Sequence, residues 1–126
     1  MNMLDRLSAL ENQANHFGFK WDNTDQIMTQ IQSECLEIQV HLKDSKTKEV
    51  NEELQEEIGD LLHAVFSLCI FCKLDPHTTL ELSVAKFDRR LSAVMQIAKE
   101  QGLSTLQGHS FQDLMMFWDQ AKKLVG

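Results

Sequence analysis

A single proline, Pro76, interrupts 126 residues in which apolar side chains recur every three to four positions. Proline inside a helix removes a backbone hydrogen bond and clashes with the preceding turn. A chain that nearly lacks it, with five glycines and no tyrosine, is built for long helices and not for a turn-rich β fold. Leu4, Leu7, Leu10 and Ala14 mark a first helix over Met3–Phe17, ending before Gly18. Gly18 to Asn23 reads as a loop, with Asn23 or Thr24 capping a second helix from Thr24 to Lys43. A polar connection, Asp44 to Lys48, leads to a third helix from about Glu49 to Lys73. Asp75-Pro76 stops it, and Thr78 or Thr79 caps a fourth that runs to about Gln101 before Gly102. After a loop from Leu103 to Gly108, Ser110 opens a last helix over Phe111–Leu124. The expected architecture is one all-α domain, 1–126, a bundle of four or five helices.

The third helix changes character midway. Its first half is acidic, while Ala64 to Cys72 is apolar nearly all round. A helix apolar on every side needs cover on every side, which predicts a homodimer or homotetramer. The formal charge of −7 disfavours nucleic acid and anionic membranes as partners. The longest apolar segment, Leu61–Cys72, is broken by His63 and Ser67 and is too short to span a bilayer. Asp5 and Arg6 interrupt the first ten residues, which therefore do not read as a signal peptide. Three cysteines, an odd number, fit a reducing cytoplasm better than a disulfide framework. Cys69 and Cys72, spaced CxxC within an apolar helix, read as core.

The chemistry concentrates in two acidic pairs, Glu34-x-x-Glu37 and Glu57-x-x-Asp60. An i, i+3 spacing puts both carboxylates of a pair on one helical face. Apolar neighbours surround each pair: Ile31, Leu36, Ile38 and Val40 around the first, Leu54, Ile58, Leu61 and Leu62 around the second. Four carboxylates facing each other between packed helices repel unless a cation sits among them, and hard oxygen donors suit Mg²⁺ or Mn²⁺. Gly59 adds weight, because a mid-helix glycine is costly unless another backbone or a ligand comes close. The bland alternative is a solvated acidic face. Lys86 and Arg90 share a face at i, i+4 and can neutralise phosphate oxygens or simply pair with acids. Phe87 and Leu91 are expected in the core. Trp118 and Lys122 repeat the spacing, offering an aromatic plane and a cation, unless the tryptophan is core. Asp60-Leu-Leu-His63 mimics half of a di-iron motif, but its counterpart fails because His41 stands four residues from Glu37 instead of three.

Taken together, Gly18-Phe-Lys-Trp21, Glu34-x-x-Glu37, Glu56-Glu57-x-x-Asp60, Lys86-Phe-x-Arg-Arg90, Gly102-Leu103 and Trp118-x-x-x-Lys122 resemble the MazG-type nucleoside triphosphate pyrophosphohydrolases, from about residue 17 to 124. The resemblance implies an all-α, oligomeric enzyme that uses Mg²⁺ to cleave a nucleoside triphosphate to the monophosphate and pyrophosphate. It implies Glu34, Glu37, Glu57 and Asp60 as metal ligands, with Glu37 and Glu56 in catalytic roles, Glu56 as a further ligand or water-orienting base. Lys86 and Arg90 would hold phosphates, and Trp21, Trp118 and Lys122 would line the substrate pocket. Three positions depart from the pattern: Ser33 stands where an acid is usual, Gln30 where a lysine is common, and Val84 where an asparagine is usual. These departures keep open a second reading, a catalytically weakened helical module that binds nucleotide or a protein partner. A di-iron oxidase is the third.

Overall fold

A computed structural model describes residues 2–44 and 51–126; the connection expected from Asp44 to Lys48, and Glu49, lie outside its described part or at its edge. The fold is all-α. In order come α1 (Met3–Phe17), α2 (Thr24–Asp44), α3 (Asn51–Phe71), α4 (Pro76–Glu100) and α5 (Phe111–Val125). No strand occurs among the described residues. None of the described helices is long and apolar enough to cross a membrane. The chain forms two compact units, Met1–Thr79 and Leu80–Gly126, and each is described by itself.

Side chains of low helix propensity define the ends. Asn2 caps α1 by accepting from the Asp5 amide at 2.8 Å. Gly18, at φ 96°, closes the helix in the left-handed region, with the Phe19 amide reaching back to the Ala14 carbonyl at 2.9 Å. Asn23 is the α2 cap, accepting from the Gln26 amide at 3.0 Å. At the other end of the first unit α3 stops at Phe71, short of the expected Lys73. Lys73 takes a positive φ of 63°, and the Leu74 amide turns back to the Cys69 carbonyl at 3.0 Å. The expected Thr78 or Thr79 cap of α4 is replaced by Asp75. Its carboxylate accepts from both the amide and the hydroxyl of Thr78, each at 2.8 Å, and Pro76 takes the first helical position, where its missing N–H costs nothing. Those two bonds hold the Asp75 carboxyl below the ordinary carboxylate range. Ser110 caps α5 as expected, accepting from the Asp113 amide at 3.1 Å.

α2 and α3 form the main packing of the first unit, with α1 laid more lightly on α3. His41 meets Glu53 and Glu57, while Asp60 acts on Glu34, so residue numbers run in opposite directions and the pair is antiparallel. The inner stripe of α2 is Ile27, Ile31, Glu34, Ile38 and His41; that of α3 is Leu54, Glu57, Leu61, Ala64 and Leu68. Two of these ten places hold a carboxylate. Leu36 and Val40, expected to flank the first acidic pair, are instead exposed, because they lie off the 3–4 spacing of that stripe. Gly59 is not explained by a close backbone: a Cβ built there meets nothing within 4 Å. Cys69 is buried, but its CxxC partner Cys72 is exposed, and all three cysteines are free thiols. The apolar half of α3 leaves Leu62, Val65 and Phe71 exposed.

In the second unit Ala93, Ala98, Phe117 and Ala121 are buried. Phe87 and Leu91 are exposed instead of core. The Phe87 ring lies 6.1 Å from that of Trp118, tilted by 44°, an ordinary spacing for an aromatic pair.

Candidate functional site

Full burial of an isoleucine such as Ile27 stabilises a fold by about 1.5–3 kcal/mol. Glu34, two turns further along the same stripe, does the opposite. It is buried, 7% exposed, and only one of its oxygens is satisfied: Gln30 Nε2 donates to Oε1 at 2.8 Å. Oε2 is buried with no hydrogen-bond partner, an arrangement that costs about 1–3 kcal/mol or more for a charged group. Burial pushes the Glu34 carboxyl above its ordinary range. The Gln30 bond offsets part of that rise, and the charges of Glu37 and Asp60 add to it. Glu34, Glu37 and Asp60 therefore share one electrostatic neighbourhood.

Glu57 belongs to the same seam through a different contact. His41 Nδ1 donates to Glu57 Oε2, and its Nε2 lies 3.1 Å from Glu53 Oε2. Those bonds, the Glu57 one first, raise the His41 pKa against the opposing effect of desolvation. Ser33, Glu37, His41 and Glu57 line one open groove of about 310 Å³, so the position where an acid was expected faces the groove with a hydroxyl. Glu56, one residue before Glu57 and hence about a quarter-turn round the helix, is exposed. The acids have the chemistry of a divalent-cation site, and the orphaned Glu34 oxygen is the kind of group a cation satisfies. They are not gathered into a coordination shell: among the described residues no three His, Cys, Asp or Glu side chains are arranged to hold a metal ion.

The expected phosphate and base residues lie in the second unit, apart from Trp21. The Arg90 guanidinium lies 5.5 Å from the centroid of the Trp118 ring, within cation–π range, and its Nε donates to the Gly126 carbonyl at 2.9 Å. Trp118 is thus shared between Arg90 and Phe87. Lys122 Nζ lies 3.4 Å from Asp119 Oδ1, an exposed pair of small energetic weight. Lys86 is exposed on α4.

Trp21 lies in the first unit, in the wall of a cavity of about 350 Å³ between α1 and α3. Phe19, Lys20, Glu11, His63 and Ser67 line it too. Glu11 Oε1 accepts from the Ser67 hydroxyl at 2.6 Å and stands 3.0 Å from His63 Nε2. Sequence reasoning missed Glu11, Ser67 and the role of His41. Glu11 and Ser67 are 56 positions apart, and only the α1–α3 packing joins them. His41 was in view, but as a failed metal motif and not as the partner of Glu57.

No protein-family model matches the chain. Over 119 residues, 94% of its length, it is 28% identical to the nucleoside triphosphate pyrophosphohydrolase/pyrophosphatase MazG of Thermotoga maritima. A nucleoside triphosphate pyrophosphohydrolase of Escherichia coli (strain K12) is 24% identical over 95% of the chain. The chain is MazG-like. The MazG-like chain spans 44% of the length of each of these two relatives. A shorter match, 36% identical over 70 residues, links 56% of the chain to 14% of the uncharacterized protein YabN of Bacillus subtilis.

Proposed function

We propose that this MazG-like chain is a Mg²⁺-dependent pyrophosphohydrolase that converts a nucleoside triphosphate and water to the nucleoside monophosphate and pyrophosphate, with Mn²⁺ as an alternative ion. The observation that carries the reading is Glu34: a buried carboxylate with an orphaned oxygen, pressed by Glu37 and Asp60, is the kind of group that a bound cation would relieve. The names of the relatives supply the reaction, and the acids supply oxygen donors of the kind a divalent cation takes. Glu34, Glu37, Glu57 and Asp60 would hold the cation. Bound there, it would neutralise phosphate oxygens and make the attacking water more acidic.

The chain's own residues do the rest. Glu37, exposed on the groove beside Glu57, would accept a proton from the attacking water at a carboxylate oxygen, and exposed Glu56 would orient that water. Water adds to the α- or β-phosphorus as that atom's bond to the oxygen bridging the two breaks, and monophosphate and pyrophosphate separate. Lys86 and Arg90 balance the charge on the departing phosphates, since phosphoryl transfer depends mainly on positioning and electrostatics. Trp118 and Lys122 contact the nucleotide. The exposed Leu62, Val65 and Phe71 on α3 favour a second copy of the chain as cover, which light scattering on the purified protein tests.

Phosphorus NMR of a nucleoside triphosphate incubated with protein and Mg²⁺ tests the reaction. Equal growth of monophosphate and pyrophosphate signals is expected; diphosphate with inorganic phosphate would contradict it. Ser33 on the groove and the neutral Gln30 beside Glu34 favour one second reading, a nucleotide-binding module with little turnover. Its signature is a nucleotide-dependent rise in melting temperature with metal and no change in the phosphorus spectrum.

A further inference from the structure

Glu34 is buried, yet the residue that holds it is not. Gln30 is exposed, and its Nε2 donates to Glu34 Oε1 at 2.8 Å. The two stand at i, i+4, so the bond joins successive turns on one face of α2. Ile27, fully buried three residues before Gln30, anchors the preceding turn in the α2–α3 stripe. One oxygen of Glu34 is thus held from its own helix, while Oε2 is buried and has no hydrogen-bond partner.

On an open surface, a side-chain pair at this spacing lends its helix a small stabilisation and does nothing more. Here the acceptor is a carboxylate only 7% exposed, with the charges of Glu37 and Asp60 acting on it. A carboxylate in such surroundings gains by swinging toward solvent, and the bond from Gln30 opposes that swing. The amide is a neutral donor, so it orients the carboxylate and leaves its negative charge for an ion. With Oε1 held, the ordering of the Glu34 side chain is met on folding and not when an ion arrives. Resting on the proposed cation site, we infer that Gln30 is a positioning residue: its bond to Oε1 sets the Glu34 carboxylate so that Oε2 is the oxygen left for a divalent cation. Carboxylates that ligate metals are in turn hydrogen-bonded by neighbours in this way. The role serves hydrolysis and nucleotide binding alike, since both readings need the ion.

Gln30→Met removes the donor while keeping the length of the side chain and a similar helix propensity. At an exposed position it retains the fold, as circular dichroism would verify, and Gln30→Ala, which also lacks the donor, serves as a second variant. Calorimetric titration of Mn²⁺ into wild type, Gln30→Met, Glu34→Gln and the double variant closes a cycle. Gln30→Met should bind Mn²⁺ about tenfold more weakly than wild type, the lower end of what losing such an outer partner costs. In the Glu34→Gln background the same substitution should change nothing, because its effect passes through Glu34. Water-proton relaxation by the bound ion gives a second readout. A Glu34 that has swung away leaves its place on Mn²⁺ to water, so relaxivity should rise in Gln30→Met. Wild-type affinity and relaxivity in Gln30→Met would overturn the assignment and leave the cation site standing, the bond then being an ordinary helix pair. Equal losses in both backgrounds would overturn it as well, because Gln30 would then act through the fold at large. If wild type itself binds no Mn²⁺, the cation site and the role of Gln30 fall together.

Discussion

Removing the charge of Glu34 should make the metal-free protein more stable, against the usual trend for substitutions at buried positions. Glu34 places a carboxylate in the α2–α3 stripe with Oε2 unpartnered and its pKa raised chiefly by burial, with Glu37 and Asp60 adding. A carboxyl whose folded pKa is raised contributes stability at pH values below its ordinary 4.5, and that contribution is lost as pH climbs through the raised value. At neutral pH the folded state therefore carries the cost. Glu34→Gln keeps the shape and an oxygen for Gln30. It replaces the orphan with an N–H₂ that can donate to the neighbouring acids. Relief of one unsatisfied buried polar group amounts to about 1–3 kcal/mol, a rise in melting temperature on the order of 5 °C for a chain of this size. The assay is differential scanning fluorimetry at pH 7 in EDTA and then in Mg²⁺. Wild type should melt below Glu34→Gln in EDTA and gain more from Mg²⁺, by mass action on the folded state. A variant that melts below wild type in EDTA would refute the reasoning, because it would show Glu34 to be well satisfied in the metal-free fold.

Gly59→Ala, where a Cβ meets open space, should stabilise the chain by about 0.5–1 kcal/mol in chemical denaturation, the helix-propensity gain of alanine; a loss would reveal a close approach at this face. Asp75, with its carboxyl held low by Thr78, should stabilise α4 above its ordinary pKa of 3.8 and lose that effect as pH falls through the lowered value. Melting curves of wild type and Asp75→Asn from pH 2 to 6 should accordingly converge at the acid end, and a constant gap would contradict this. His41, raised by Glu57 and Glu53, should stabilise α2 against α3 at and below its ordinary 6.5 and cease to do so as pH rises through the raised value. Proton NMR should find its titration midpoint above 6.5, returning toward that value in Glu57→Gln.

Helix existence was legible because amphipathic spacing and end signals act locally: Gly18, Asn23 and Ser110 each end or begin a helix through bonds to residues within a few positions. The α4 cap was misread for a similarly local reason. Thr78 and Thr79 look like caps in composition, but Asp75 precedes a proline whose fixed φ starts the helix one turn earlier. The acidic pairs were legible as pairs, since i, i+3 spacing is a property of one helix. Which acids enter the seam was not. Glu34 and Glu57 fall on the buried stripes while Glu37, Glu56 and Asp60 stay exposed, and that depends on how α2 rotates against α3. Contacts such as Glu11 with Ser67, or His41 with Glu57, join residues on different helices, and no single-helix pattern encodes them. Phe87 and Leu91 show the converse error, apolar residues at good spacing that the packing leaves exposed.

The claim on which the functional account stands is that Glu34, Glu37, Glu57 and Asp60 together form a cation site. Isothermal titration of Mn²⁺ into metal-free protein measures it most directly, with wild type set beside Asp60→Asn. The account predicts saturable binding by wild type and a loss of about tenfold or more in affinity for the variant, the scale of one charged ligand. Equal affinity in the two proteins, or no saturable binding by wild type, would contradict it.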